Sequence, residues 1–129
     1  MFQLTTINKK MKKNDSTIKL VQKKHELSGH GTLVTCCQYL SNNYLISGSD
    51  DSDILLWDLE KPARYLVKYS DHQFELQSLD VFNRDGNVIA SGANDATVRI
   101  WDIRMKNPCI RVFDKNQCGI SAVKFMPDK

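Results

Sequence analysis

Apolar side chains along this chain gather in short runs separated by Asn, Asp, Gly, Ser and Pro, and no stretch keeps the three-and-four spacing of an amphipathic helix. The runs predict strands over Phe2–Ile7, Thr17–Leu27, Leu33–Tyr39, Tyr44–Gly48, Ile54–Asp58, Arg64–Tyr69, Leu76–Phe82, Val88–Gly92, Thr97–Ile103, Cys109–Phe113 and Ile120–Phe125. Between them, Ser41-Asn42-Asn43 and Asn83-Arg84-Asp85-Gly86-Asn87 supply residues that tolerate positive φ in hairpin turns. Glu60-Lys61-Pro62-Ala63 and Met105-Lys106-Asn107-Pro108 should end strands, because proline has no N–H to give a ladder.

The pattern repeats. Ser47-Gly48-Ser49-Asp50-Asp51-Ser52-Asp53-Ile54-Leu55-Leu56-Trp57-Asp58-Leu59 aligns without a gap on Ser91-Gly92-Ala93-Asn94-Asp95-Ala96-Thr97-Val98-Arg99-Ile100-Trp101-Asp102-Ile103 at an offset of 44. Upstream, Gly29-His30 answers Asp71-His72 at an offset of 42. Three segments, beginning at Val34, Leu76 and Ile120, share an aliphatic first position, a small third (Cys36, Ser78, Ala122), a polar fifth (Gln38, Asp80, Lys124) and a large sixth. Small residues at one position suit strands whose sheets approach closely. A repeat of ~40–45 residues ending in Trp-Asp marks a four-stranded propeller blade. The expected fold is therefore all-β, an incomplete arc of antiparallel four-stranded blades. Residues 1–28 read as the end of a preceding blade with a Lys-rich turn, 29–70 and 71–114 as repeats, and 115–129 as the start of another.

The Gly-His, Ser-Gly-x-x-Asp and Trp-Asp elements resemble WD40 repeats. Gly29-His30-Gly31-Thr32-Leu33-Val34-Thr35-Cys36-Cys37-Gln38-Tyr39-Leu40 is similar to the start of a middle repeat in heterotrimeric G-protein β subunits. Ser91 to Ala96 with Trp101-Asp102-Ile103-Arg104 resembles the next repeat, and Gly119 to Asp128 the opening of the one after. Asp71 before His72, where glycine is usual, resembles the fungal pheromone-pathway members; Phe2–Leu27 aligns loosely with the end of the preceding blade. The resemblance implies a buried hydrogen-bonded tetrad in each blade, here His30, Ser47, Asp51, Trp57 and His72, Ser91, Asp95, Trp101. Each polar group then has a partner. The third copy has Asn116 in place of the histidine.

The resemblance further implies a non-catalytic signalling scaffold that binds a G-protein α subunit, a γ subunit and effectors, in the cytoplasm and at the plasma membrane only through partner subunits. The alternative is a WD40 interaction scaffold of another complex. Carried over by position, the α-subunit face comprises Gly31, Thr32 and Leu33, then Gln73, Glu75 and Gln77, then Gln117, Gly119 and Ser121. The family tends to have an aromatic at Leu33, Asp at Glu75 and Gly119, and Met at Gln77. With two full repeats, against ~4–8 blades in a closed propeller, and without a heptad helix for a γ subunit, the chain reads as a fragment.

Charge and chemistry alter this picture little. The net charge is +3, but residues 1–28 hold seven Lys against Asp15 and Glu26, so the basic character belongs to one segment. Without aromatic or Arg interleaving, Lys9 to Lys24 read as a solvated turn rather than a nucleic-acid surface. No run of ~18 apolar residues predicts a membrane helix, and Met1 to Ile7 is too short and polar for a secretory h-region. The sequon Asn14-Asp15-Ser16 is then unused. Cys36, Cys37, Cys109 and Cys118 lack the spacing of a zinc site and read as reduced thiols. No phosphate loop occurs, so no nucleotide or other cofactor is expected. His30, Ser47 and Asp51 are the residue types of a hydrolase triad, yet the same set recurs as His72, Ser91 and Asp95. An active site is normally built once; the duplication and the missing Gly-x-Ser-x-Gly elbow argue for structure.

Overall fold

The computed structural model describes residues 2–10, 19–41, 43–82 and 86–127, with side chains from residue 26 onward. The sequon, Lys12, Lys13, Thr17, Ile18, Asn42 and the turn residues Asn83, Arg84 and Asp85 lie outside the described residues, as do the side chains of the other N-terminal lysines. All ten described elements are strands: β1 Phe2–Lys10, β2 Lys19–Leu27, β3 Val34–Tyr39, β4 Tyr44–Ser49, β5 Ile54–Asp58, β6 Val67–Tyr69, β7 Leu76–Val81, β8 Val88–Ala93, β9 Val98–Asp102 and β10 Cys109–Phe113. They form a β1–β2 hairpin and two antiparallel four-stranded meanders, β3-β4-β5-β6 and β7-β8-β9-β10.

The two meanders are built alike because their sequences repeat. Each first pair carries a register shift at the same place, between Val34 and Cys36 in one and between Leu76 and Ser78 in the other. A bulge re-aims the residue it releases. Here it lets the Thr35 hydroxyl donate to the Gly48 carbonyl at 3.2 Å and to the Leu76 carbonyl of the next sheet at 2.6 Å.

β4 and β5 lie between two cores. Ile46, Ile54 and Leu56 face β7 and β8, forming a cluster with Tyr69, Leu76, Leu79, Val81, Ile89 and Trp101. Leu45, Leu55, Trp57 and Leu59 pack on the other side with Leu27 from the end of β2. A strand covered on both faces needs apolar residues in succession, which is why β5 reads as a continuous run rather than an alternation.

Two strand expectations need correction. Arg64–Tyr69 shortens to Val67–Tyr69, because Tyr65 turns edge-on against Trp57, with ring centroids 6.1 Å apart. Ile120–Phe125 is not a strand. A ladder needs a neighbouring backbone, and among the described residues none pairs with this segment. It is instead held on the second sheet by single bonds. The N–H of Ile120 donates to the Ala93 carbonyl (2.9 Å), that of Val123 to Ser78 Oγ (3.1 Å) and that of Phe125 to Asp80 Oδ2 (2.7 Å). Lys124 Nζ pairs with Asp80 Oδ1 at 3.0 Å.

Candidate functional site

Antiparallel strands bring alternate connections to one end of each sheet. The segments before β3 and β7 meet the β4–β5 and β8–β9 turns there, so residues distant in sequence converge. His30 Nδ1 lies 3.1 Å from Asp51 Oδ2 and its Nε2 lies 2.8 Å from Ser47 Oγ, to which Trp57 Nε1 donates at 2.8 Å. In the second sheet His72 Nδ1 is 2.7 Å from Asp95 Oδ2, His72 Nε2 is 2.7 Å from Ser91 Oγ, and Trp101 Nε1 donates to Ser91 Oγ at 2.8 Å.

A neutral imidazole satisfies each chain in one direction. Nδ1–H donates to the carboxylate, Nε2 accepts the serine O–H, and the serine oxygen accepts the indole N–H. Burial pushes the His72 pKa below its ordinary 6.5, with nearby Arg99 acting the same way, despite the opposing pull of Asp95 and Asp71. Asp95 is lowered to about 2: burial works against ionisation, but the Thr97 hydroxyl, the N–H of Gln73, His72 and the N–H of Thr97 outweigh it. Asp51 is also lowered, with burial opposed by the N–H groups of Gly31 and Asp53 and by His30.

The tight turns that place these carboxylates use left-handed backbone at Ser52 (φ 70°) and Ala96 (φ 62°), equivalent positions of the two repeats. Ser47 and Ser91 are fully buried, each pinned between an imidazole and an indole. A hydroxyl so enclosed cannot reach a solvent-borne substrate, so this arrangement organises loops. Among the described residues no group of three or more His, Cys, Asp or Glu is placed to hold a metal ion.

The residues assigned to a partner face lie at the same end. Gly31 is exposed, its N–H donating to Asp51 Oδ2 at 2.8 Å; exposed Thr32 shares a 3.1 Å hydroxyl bond with Ser49. Leu33 is 74% exposed. Gln73 is exposed and bonds Asp95 through its N–H at 3.0 Å, while half-buried Glu75 accepts from Asn94 Nδ2 at 3.4 Å. Gln77 is half-buried on β7; Gln117, Gly119 and Ser121 are exposed, with Gly119 seated against Asn94. Asn116, exposed, donates to the carbonyls of Ala96 and Phe113 at 2.9 and 3.3 Å.

Sequence reasoning missed three contributors. Thr97 Oγ1 donates to Asp95 Oδ1 at 2.7 Å, and Ser49 Oγ accepts from the Asp51 N–H at 3.2 Å. Phe74, 58% exposed, stands among them. Its signal was an aromatic residue set between Gln73 and Glu75 in an otherwise polar loop.

Sheets of this topology, each locked by a His–Ser–Asp–Trp chain, define a propeller-blade scaffold. The WD40 family (WD domain, G-beta repeat) matches residues 21–58 and 63–102, and the chain belongs to it. The matched units run from β2 to β5 and from the approach to β6 through β9, so each begins one strand before the sheet it chiefly builds. The chain is similar to the "Guanine nucleotide-binding protein subunit beta" of Arabidopsis thaliana, 33% identical over 108 residues, which is 79% of this chain and 29% of that protein. The protein of the same name in Nicotiana plumbaginifolia gives the same identity and coverage. "Cell division control protein 4" of Saccharomyces cerevisiae is 36% identical over 101 residues, 78% of this chain and 12% of that protein. The chain thus spans less than a third of the length of these relatives.

Proposed function

We propose that this chain is part of a non-catalytic signalling scaffold of the G-protein β-subunit kind, and that its tetrad end receives a G-protein α subunit. What carries the reading is the run of 33% identity over 108 residues to proteins named as β subunits, a stretch long enough to span both sheets. The geometry is compatible with it: the polar groups of each tetrad are committed to one another, and the loops they fix hold Gly31, Thr32, Leu33, Gln73 and Glu75 at one end. A γ subunit and effectors belong to the same reading, as does a cytoplasmic location with membrane contact only through partners. The test is calorimetric titration of the chain, and of a longer protein containing it, with GDP-loaded α subunit. Saturable binding weakened by Leu33→Asp supports the proposal; no binding by either protein overturns it.

A second reading rests on the 36% identity to cell division control protein 4, whose name carries no G-protein association. On that reading the chain is a WD40 interaction scaffold of another complex, and it predicts no α-subunit binding.

A further inference from the structure

The end of the sheets opposite the tetrads holds a recess. It lies where the β3–β4 and β7–β8 turns face each other, lined by Leu40, Tyr44 and Leu56 of the first sheet and Gly86, Asn87 and Ile103 of the second, with exposed Ser41 beside them. It is half open, its walls are almost wholly apolar, and its volume is about 290 Å³. That falls at the bottom of the ~300–1,000 Å³ range of small-molecule sites and suits a socket for one large side chain. The walls are set before anything enters. The N–H of Leu40 donates to the Tyr44 carbonyl at 3.0 Å and that of Phe82 to the Val88 carbonyl at 2.8 Å, closing the two turns. The N–H groups of Leu59 and Ile103 donate to the Asn43 and Asn87 carbonyls at 2.7 and 3.0 Å, tying the chain after β5 and β9 to the same turns. Gly86, with φ 66°, lies so close to the first turn that a Cβ would stand 2.6 Å from the Leu40 carbonyl oxygen. A preformed socket costs a partner little entropy of arrangement.

Basic residues gather at this end. Exposed Lys61 and Arg64 follow β5, and exposed Arg104 and Lys106 follow β9. β2 runs toward the tetrad end, so the Lys10–Lys19 pair of the β1–β2 ladder lies at the end that bears the recess, with Lys9 next along β1. The acids of the same described segments are Asp58, Glu60 and Asp102. Asp102 Oδ2 is held by Arg104 at 2.6 Å, whereas Lys61, Arg64 and Lys106 have no ion-pair partner among the described residues. The tetrad end has the opposite sign, with Asp50, Asp71, Glu75 and Asp114 in segments whose one Lys or Arg is Lys115. Unneutralised like charges in neighbouring loops maintain a local potential, here positive around an apolar recess.

We infer that the recess is a docking socket for an acidic polypeptide segment, which seats one large apolar side chain between the two turns while its Asp or Glu side chains answer Lys61, Arg64 and Lys106. This surface is separate from the tetrad end, so a scaffold containing it holds two partners at once. The inference goes beyond the β-subunit reading and requires no α subunit. Charge complementarity selects an anionic occupant, and shape selects a polypeptide among them. A recess admits a single side chain, whereas a bilayer is entered by a continuous apolar face and a single-stranded nucleic acid is held on a row of aromatic platforms.

The test uses the full chain and a fluorescein-labelled peptide of Glu and Ser with a single central Trp, followed by fluorescence anisotropy. Expected are saturable binding that weakens as salt rises, and no binding of the matching Lys-for-Glu peptide. Ser41→Trp, which fills the recess from an exposed position, should raise Kd about tenfold or more. Replacing the peptide's Trp by Ala should do the same, and Arg64→Glu should weaken binding and flatten its salt dependence. Phe113→Ser, exposed at the far end of β10, should leave Kd unchanged. Far-UV circular dichroism like the parent's verifies that each variant is folded. Equal binding of the basic peptide, or an unchanged Kd in the Ser41→Trp chain, would overturn the inference. So would binding of phosphatidylserine vesicles or of an oligothymidylate by a chain that leaves the peptide free, which would assign the basic end to lipid or to nucleic acid. None of these outcomes bears on the α-subunit titration, which reads the other end of the sheets.

Discussion

Gly48 lies directly against Leu76 of the neighbouring sheet: a Cβ placed on Gly48 would stand 2.4 Å from Leu76 Cδ2 and 2.9 Å from Cys36 Sγ. The same relation recurs one repeat later, where a Cβ on Gly92 would stand 2.5 Å from Ile120 Cγ2. Sheet spacing is thus set by the absence of a side chain at one position of the repeat. Gly48→Ala should force the sheets apart and destabilise the protein by about 1–3 kcal/mol. Urea unfolding followed by tryptophan fluorescence would measure this, and a midpoint equal to the parent's would contradict it.

Each tetrad serine joins two groups, the Nε2 of a histidine and the Nε1 of a tryptophan. Ser91→Ala removes the acceptor for Trp101 Nε1 and the bond to His72 Nε2 together. The expected loss is about 1–3 kcal/mol for each group left unsatisfied. In a double-mutant cycle with Trp101→Phe, the two substitutions should be clearly non-additive. Additive effects would show that the serine and the indole act independently.

Stability should fall on acidification in two stages. His72 has a folded pKa below 6.5, so the unfolded chain binds protons first. Its contribution is complete above 6.5 and is lost as pH falls through that value toward the folded pKa. Asp95, lowered from 3.8 to about 2, adds a contribution that is complete above 3.8 and is lost as pH falls between these values. The urea midpoint should therefore decline below pH 6.5 and again below pH 4. A midpoint that rises between pH 7 and pH 5 would be the wrong sign.

Asp80 anchors the segment after the second sheet, accepting from both the Phe125 N–H and Lys124 Nζ. Asp80→Ala should speed amide exchange at Val123 and Phe125 while leaving β7, β8 and β9 protected. Unchanged exchange at Phe125 would show that the Phe82–Phe125 ring contact, with centroids 5.4 Å apart, is sufficient by itself.

The strands were legible because burial on both faces demands apolar runs, and because the 44-residue offset lets one copy check the other. The histidine, serine, aspartate and tryptophan positions were marked by the repeat, and the resemblance to WD40 repeats implied the bonding among them. Segment Ile120–Phe125 matches β3 and β7 in pattern, but pattern specifies a face to be buried, not the presence of a neighbouring strand. The contribution of Thr97 was hidden because Asp53 occupies the equivalent position in the first copy, where its carboxylate pairs with Lys68 instead. The exposure of Phe74 depends on loop direction, which the Asp95–Gln73 bond sets at a distance in sequence.

That bond has a consequence for association. Asp51 and Asp95 each accept N–H groups from two loops at once, Gly31 and Asp53 in one sheet, Gln73 and Thr97 in the other. The segments bearing Leu33 and Phe74 are therefore ordered before any partner arrives, and a partner bears little of the entropy of arranging them. Affinity for this end should reside in slow departure rather than in slow rearrangement, so association rates should track ionic strength and remain insensitive to viscogen-independent loop motion.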